Sequence, residues 1–126
     1  MDGTWSDRRV LVTGGAGFIG SALIWELNRL GIEDILVADR LGEGEKWRHL
    51  VPLRFLDYLE ADELARIVEE TPSKLKSVGA VFHLGACSST TQSDATYLMR
   101  NNFGYTKMLA EWALSAGRRF VYASSG

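Results

Sequence analysis

The stretch Thr13-Gly14-Gly15-Ala16-Gly17-Phe18-Ile19-Gly20 has the clearest chemical purpose in this chain. Its glycines fall both as Gly15-x-Gly17-x-x-Gly20 and as Gly14-x-x-Gly17-x-x-Gly20. Between a strand and a helix, glycines at such positions allow a tight turn and a close approach of backbone to a pyrophosphate. The last of them lets helix and strand pack without a side chain between them. Free N–H groups and the positive end of the helix dipole then favour the anion. A glycine pattern alone recurs by chance in loops. Here an apolar run precedes it and an amphipathic stretch follows it, which is the context the chemistry needs.

Asp39 lies 19 positions beyond Gly20, at the end of the next apolar run, where a ribose hydroxyl would sit. Asp39 alone favours NAD by accepting from the 2′-hydroxyl. Arg40 beside it, and Lys46 in the following loop, would suit the 2′-phosphate of NADP. Both cations would serve equally well as solvated loop residues. On the residues alone, NAD and NADP stand level.

A second cluster, Phe82-His83-Leu84-Gly85-Ala86-Cys87-Ser88-Ser89-Thr90-Thr91, follows an apolar run. Its small residues would let the chain pass close to a cofactor and offer hydroxyls to a sugar or phosphate. Taken alone, a Ser/Thr loop is more often a turn and a helix cap. His83, at the end of the apolar run, reads first as a hydrogen-bonded core histidine. With His49 the only other histidine and Cys87 the single cysteine, no metal constellation exists. Cys87 has no basic or helix-terminal cue for a reactive thiol and reads as a small buried residue.

The elements that must hold these clusters alternate short β-rich runs with helical stretches, which argues for a parallel sheet with helical crossovers. Strands are expected at residues 10–13, 35–38, 53–56, 80–84 and 120–123. Helices are expected at 17–30, closed by Gly31 at its C′ position, and at 62–70, ending before Pro72. Two further helical segments are expected at 94–100 and 105–116, the second stopped by Gly117. Residues 40–50 read as a polar loop. The fold class is α/β, a Rossmann-type doubly wound parallel sheet that stops after the fifth strand. In such sheets ligands sit outside the carboxyl ends of the strands, at the switch in strand order. Trp25 and Trp112 read as packing residues. Glu60, Asp62 and Glu63 read as a favourable charge bias at a helix start.

The 126 residues suffice for one domain. A net charge of −2 leaves no electrostatic footprint for nucleic acid or an anionic membrane. No apolar run approaches the roughly 20 residues needed to span a bilayer. The charged start lacks the apolar core of a secretory signal. With one cysteine there is no internal disulfide, which fits a reducing compartment. The expectation is a cytoplasmic protein.

Taken together, the clusters resemble the extended short-chain dehydrogenase/reductase family. That family's Thr-Gly-x-x-Gly-x-x-Gly matches Thr13 to Gly20, and its His-x-x-Ala matches His83 to Ala86. The family's helix asparagine matches Asn101-Asn102, and its Ser-Ser after the fifth strand matches Ser124-Ser125. Within the family, Ala86-Cys87-Ser88-Ser89-Thr90-Thr91, with Asp94, Tyr97 and Asn101-Asn102, is similar to the branch that epimerises an ADP-linked heptose. So are Asp34 to Asp39 and the loop through Lys46 and Leu50. The glycine turn marks the whole family, and the Ala-Cys-Ser-Ser-Thr-Thr loop is the specific part.

The resemblance implies NADP, held by Gly14, Gly17, Phe18, Ile19, Gly20, Asp39, Arg40 and Lys46. It adds the run Leu84, Gly85, Ala86, Cys87 and Ser88, together with Asn101. One departure bears on this: the family often has Asn after the Asp, and here Arg40 would hold a phosphate at least as well. Asp57-Tyr58 matches a segment that borders the adenine, although a helix-start role suits it equally.

The implied reaction inverts C6 of the heptose in an ADP-sugar, for the lipopolysaccharide core, through a transient ketone and with no net redox change. Ser88, Ser89 and Thr90 match substrate-side positions. Ser125 matches the serine that hydrogen-bonds the reacting oxygen. The family's base is the Tyr of a Tyr-x-x-x-Lys motif, its pKa lowered by the lysine. No such pair occurs here: Tyr97 is followed four residues on by Asn101, and Tyr105 stands two residues before Lys107. The 126 residues are therefore expected to form an N-terminal NAD(P)-binding domain without its substrate domain, inactive alone. Related dehydratases or reductases, and a non-catalytic NAD(P)-sensing module, are the competing readings. An incomplete fold would leave sheet edge and apolar helix faces, including Trp112 and Leu109, uncovered. A homo-oligomer is therefore expected.

Overall fold

A computed structural model describes residues 8–42, 44–84 and 95–123, the side chains of 95–102 excepted. Its elements are β1 (Arg9–Thr13), α1 (Phe18–Arg29), β2 (Ile35–Asp39), β3 (Asp57–Glu60), α2 (Ala61–Glu70), β4 (Val78–Leu84), α3 (Ala95–Ser115) and β5 (Arg119–Ala123). Single-turn 3₁₀ segments, Lys46–Leu50 and Pro72–Leu75, sit in the connections before β3 and β4. All pairings are parallel, in the order β3-β2-β1-β4-β5. The order reverses between β1 and β4. There Thr13 lies level with Ala38 on one side and His83 on the other, so the carboxyl ends of three central strands form one ledge.

Two packed layers hold that ledge. Alternation along β1 sends Val10 and Val12 to one face and Leu11 to the other, because successive side chains of a strand point oppositely. Val10, Val12, Ile35 and Val37 pack with Ile24 and Leu27 of α1. On the other face, Leu11, Leu36 and Val81 meet Leu64 and Val68 of α2 and Leu109 and Ala113 of α3. Burying each such side chain is worth about 1.5–3 kcal/mol. Being covered on both faces is why β1 and β2 read as unbroken apolar runs.

The ends of α1 follow from its sequence. At its C-terminus Gly31 adopts φ +89°, a left-handed conformation that glycine takes without Cβ strain. Gly31 N–H donates to Asn28 O, and Ile32 N–H donates to Leu27 O. The expected glycine stop is therefore present. At its N-terminus no side chain caps the helix, which leaves the first N–H groups for something else. Far from the ledge, Arg118 donates to Val78 O and Leu75 O and lays its guanidinium over Trp112, tying the exit of α3 to the start of β4.

Several expectations need correcting. The third strand is residues 57–60, not 53–56. Leu53 and Phe55 instead pack against the α1-side core while Leu56 N–H donates to Ile35 O, so their apolarity belongs to a crossing segment. The true strand, Asp-Tyr-Leu-Glu, is polar because it lies at the sheet edge. The two helical segments expected around 94–116 are one helix, α3, which runs through Gly104. An internal glycine costs about 1 kcal/mol, offset here by the burial of Leu109 and Ala113. Leu109, expected to be uncovered, is fully buried, whereas Trp25, expected to pack, faces solvent. Trp112 is partly covered. β5 is exposed on both faces, at Val121 on one and at Tyr122 on the other.

Candidate functional site

The glycine turn lies at the switch point, as the strand order requires. Gly14 adopts φ +72°, and its N–H donates to Ala38 O at 2.7 Å. Its carbonyl accepts from Gly17 N–H at 3.1 Å. A Cβ added at Gly20 would stand 2.1 Å from Gly14 O, so helix and turn meet backbone to backbone. At Gly15 it would stand 2.6 Å from Val37 Cγ1, so that glycine serves strand packing. At Gly17 the nearest atom would be 3.4 Å away. Phe18 and Ile19, the first residues of α1, leave their side chains largely in solvent beside the uncapped helix start.

Asp39 closes β2 against this turn. Its Oδ2 accepts from Ala16 N–H at 2.9 Å, and its Oδ1 accepts from Arg40 N–H at 2.6 Å and Lys46 Nζ at 2.9 Å. The carboxylate thus fixes the turn while remaining at the rim. Arg40 swings to α2, where its Nη2 lies 2.9 Å from Asp62 Oδ1. That pairing raises the already high pKa of the guanidinium. Lys46 also donates to Arg40 O at 3.1 Å.

Four more residues surround the site: Tyr58, whose segment is expected to border the adenine, and His49, Tyr105 and Thr106, which no expectation places here. Tyr58 places its hydroxyl 2.8 Å from Asp39 O and 2.5 Å from Glu60 Oε2. Burial, then the Glu60 carboxylate, push its pKa up. His49 Nδ1–H donates to Ala16 O at 2.6 Å. Tyr105, on α3, has a buried hydroxyl without a hydrogen-bond partner among the described residues; burial raises its pKa. Thr106 is the fourth. No local pattern marks Thr106 or His49, since their partners lie 23 and 33 residues away in the chain.

His83 is the hydrogen-bonded core histidine expected of it. Its Nδ1 is 2.5 Å from Thr13 Oγ1 and its Nε2 is 2.7 Å from Thr106 Oγ1. The ring stacks on Phe120 and Tyr122 and meets Tyr105 edge-on. Desolvation lowers its pKa to about 4, so it is neutral, one nitrogen donating and the other accepting. This bridge ties the last residue of β1 to β4 and α3. Leu84, buried at the end of β4, pairs in register with Ala123.

The expectations for Gly85, Ala86, Cys87, Ser88, Ser89, Thr90 and Ser125 lie outside the described residues, as does the side chain of Asn101. Among the described residues no group of His, Cys, Asp and Glu is arranged to hold a metal ion. Likewise, no described helix is long and apolar enough to cross a membrane.

A parallel sheet in this order, with a glycine turn at the start of α1, is a Rossmann-type fold. The turn offers uncapped N–H groups and a backbone approach with no room for a Cβ, which fits a pyrophosphate. The chain belongs to the NAD dependent epimerase/dehydratase family, whose model matches residues 10–126. It is 50% identical over 115 residues to a relative from Nitratidesulfovibrio vulgaris (strain DP4) named ADP-L-glycero-D-manno-heptose-6-epimerase, covering 91% of this chain and 35% of the relative. A relative of the same name from Fusobacterium nucleatum is 43% identical over 118 residues, covering 92% and 35%. The chain therefore spans about a third of the length of these curated relatives.

Among solved structures, the enzyme of that name from Helicobacter pylori shares the fold with a TM-score of 0.76 at 24% identity, covering all of this chain and 42% of that one. The Bordetella bronchiseptica enzyme WbmG in complex with NAD matches with a TM-score of 0.70 at 29% identity, covering 91% and 36%.

Proposed function

We propose that this chain is the cofactor-binding part of a nucleotide-sugar epimerase that inverts C6 of the heptose in ADP-glycero-manno-heptose, serving the lipopolysaccharide core. The observation that carries the cofactor half of this reading is the turn at the switch point. An uncapped helix start, a Gly20 that touches Gly14 backbone to backbone and a rim carboxylate at Asp39 are brought together there. The sugar half rests on the 50% likeness to a relative bearing that name.

In this reading Gly14, Gly17 and Gly20 shape the pyrophosphate cradle, and the first N–H groups of α1 bind it. Phe18 and Ile19 cover the dinucleotide from the helix start. Asp39, Arg40 and Lys46 hold the adenosine ribose and its 2′-phosphate, so the cofactor is NADP rather than NAD. Leu84 and the run from Gly85 to Ser88, with Asn101, line the nicotinamide side. Ser88, Ser89 and Thr90 face the ADP-sugar, and Ser125 hydrogen-bonds the reacting oxygen. When bound, NADP supplies a reversible acceptor for the C6 hydride.

The proton on the C6 hydroxyl needs a base, and no tyrosine among these residues has a lysine four positions on. Residues 1–126 are accordingly the NAD(P)-binding domain of a larger protein and are inactive by themselves. The full protein works in the cytoplasm as a homo-oligomer.

The test is to incubate the full-length protein with ADP-glycero-manno-heptose and follow the C6 configuration by proton NMR, with UDP-glucose in parallel. Appearance of the C6 epimer only from the ADP-heptose is the expected result. Turnover of UDP-glucose alone would move the assignment to another sugar. If NADPH and NADH both fail to bind, the cofactor half falls as well.

A further inference from the structure

The corner where the adenosine ribose would lie carries a charge arrangement that a simple phosphate site does not need. Two cations stand there, and each is already held by a carboxylate: Lys46 by Asp39 at 2.9 Å and Arg40 by Asp62 at 2.9 Å. These four formal charges cancel, and Glu60, which also acts on Arg40, adds one further negative charge. The two pairs nevertheless differ. Asp39 is buried at 9% side-chain exposure and also anchors the turn through Ala16 N–H, so it is fixed. Asp62 is 82% exposed and Arg40 63% exposed, and an exposed pair of this kind contributes little in water. It can open. Below the pair, Tyr105 carries a buried hydroxyl with no hydrogen-bond partner among the described residues, within the electrostatic reach of Arg40, Asp39 and Asp62.

We infer that Asp62, in the first turn of α2, is a specificity-determining residue that competes with the cofactor's 2′-phosphate for Arg40 and so narrows the preference for NADP over NAD. The inference rests on the reading of this corner as a dinucleotide ribose site. A 2′-phosphate carries about 1.5–2 negative charges near neutral pH, like other phosphate monoesters. At the guanidinium it competes with the Asp62 carboxylate, which already holds Nη2, and it remains close to that like charge wherever on the fork it binds. A 2′-hydroxyl is neutral and meets neither obstacle. Removing the charge of Asp62 therefore helps one dinucleotide and leaves the other almost untouched. The effect passes through Arg40, so it vanishes when Arg40 has no charge to compete for.

The experiment is a fluorescence titration of NADPH and of NADH into the full chain as wild type, Asp62→Asn, Arg40→Gln and the double variant. Asp62→Asn is expected to tighten NADPH about two- to fivefold, the range an exposed ion pair can contribute, and to change NADH less than about twofold. Arg40→Gln is expected to weaken NADPH by about tenfold or more. Asp62→Asn should give no gain in that background, which the double variant tests directly. Equal effects of Asp62→Asn on both dinucleotides, no effect on either, or a gain that persists without Arg40 would each overturn the role of Asp62 while leaving dinucleotide binding intact. Binding of neither dinucleotide by any variant would overturn that role together with the reading beneath it.

Discussion

Two corners of the ledge stand side by side and are built on opposite principles. At the β1–β4 corner, Thr13, His83 and the half-buried Thr106 form a chain of short hydrogen bonds walled by Tyr105, Phe120 and Tyr122. At the β2–α2 corner, Asp39, Lys46, Arg40 and Asp62 form ion pairs at the rim. The first corner shields its polar atoms, so each unmade bond is expensive. The second leaves its outer pair in water, so rearrangement is cheap. One corner is rigid because its polar atoms are shielded, and the other is adjustable because its outer pair is exposed.

The contrast can be broken at the turn itself. Gly20→Ala forces a Cβ to within 2.1 Å of a backbone oxygen that cannot rotate away, and it should destabilise the fold by about 3 kcal/mol or more. Urea unfolding would read this directly, and a loss below about 1 kcal/mol would show that the turn yields. His83→Leu fills similar space but strands the buried hydroxyl of Thr13, at about 1–3 kcal/mol, and the half-buried one of Thr106, at less. A loss of about 2–4 kcal/mol in the same assay is expected.

Acid should find the same corner. The folded-state pKa of His83, about 4, sits below its ordinary value of 6.5. The unfolded chain therefore binds the proton more readily than the folded one. The stability contributed by the neutral ring is fully present above pH 6.5 and is lost as pH falls through the window from 6.5 toward 4. The loss should be on the order of 2 kcal/mol, and His83→Leu should flatten that part of the curve. An unchanged slope in the variant would assign the acid sensitivity elsewhere. The smallest effect belongs to the rim: Arg40→Gln removes the exposed pair with Asp62 and should change stability by less than about 1 kcal/mol. A larger cost would mean the two corners are not so different.

Much of this was readable before any coordinates. The order of strands and helices follows from apolar runs broken by glycine and proline, because doubly covered strands must be apolar throughout. Asp39 could be placed from its distance to Gly20, since one helix and one strand fix that spacing. Residues 57–60 carry no strand signal because an edge strand needs no apolar face, while the apolar 53–56 resembles a strand that is not there. The partners of His83 were hidden for another reason: contacts across 70 and 23 residues leave no local trace. The pairing of Arg40 with Asp62 depends on how far a flexible side chain swings, which spacing along the chain does not encode. Residues 85–91 carry the most specific expectations, and those fall outside the described residues.

The clasp at Arg118 divides the labour of the molecule in space. It joins α3, β4 and the Pro72–Leu75 turn at the amino ends of the strands, whereas the glycine turn, Asp39, Arg40 and Lys46 lie at the other end. Whoever wishes to tether, label or recolour this protein has a place to begin there. Alterations around Lys74 and Lys76 touch the scaffold's foundation and leave the working edge alone.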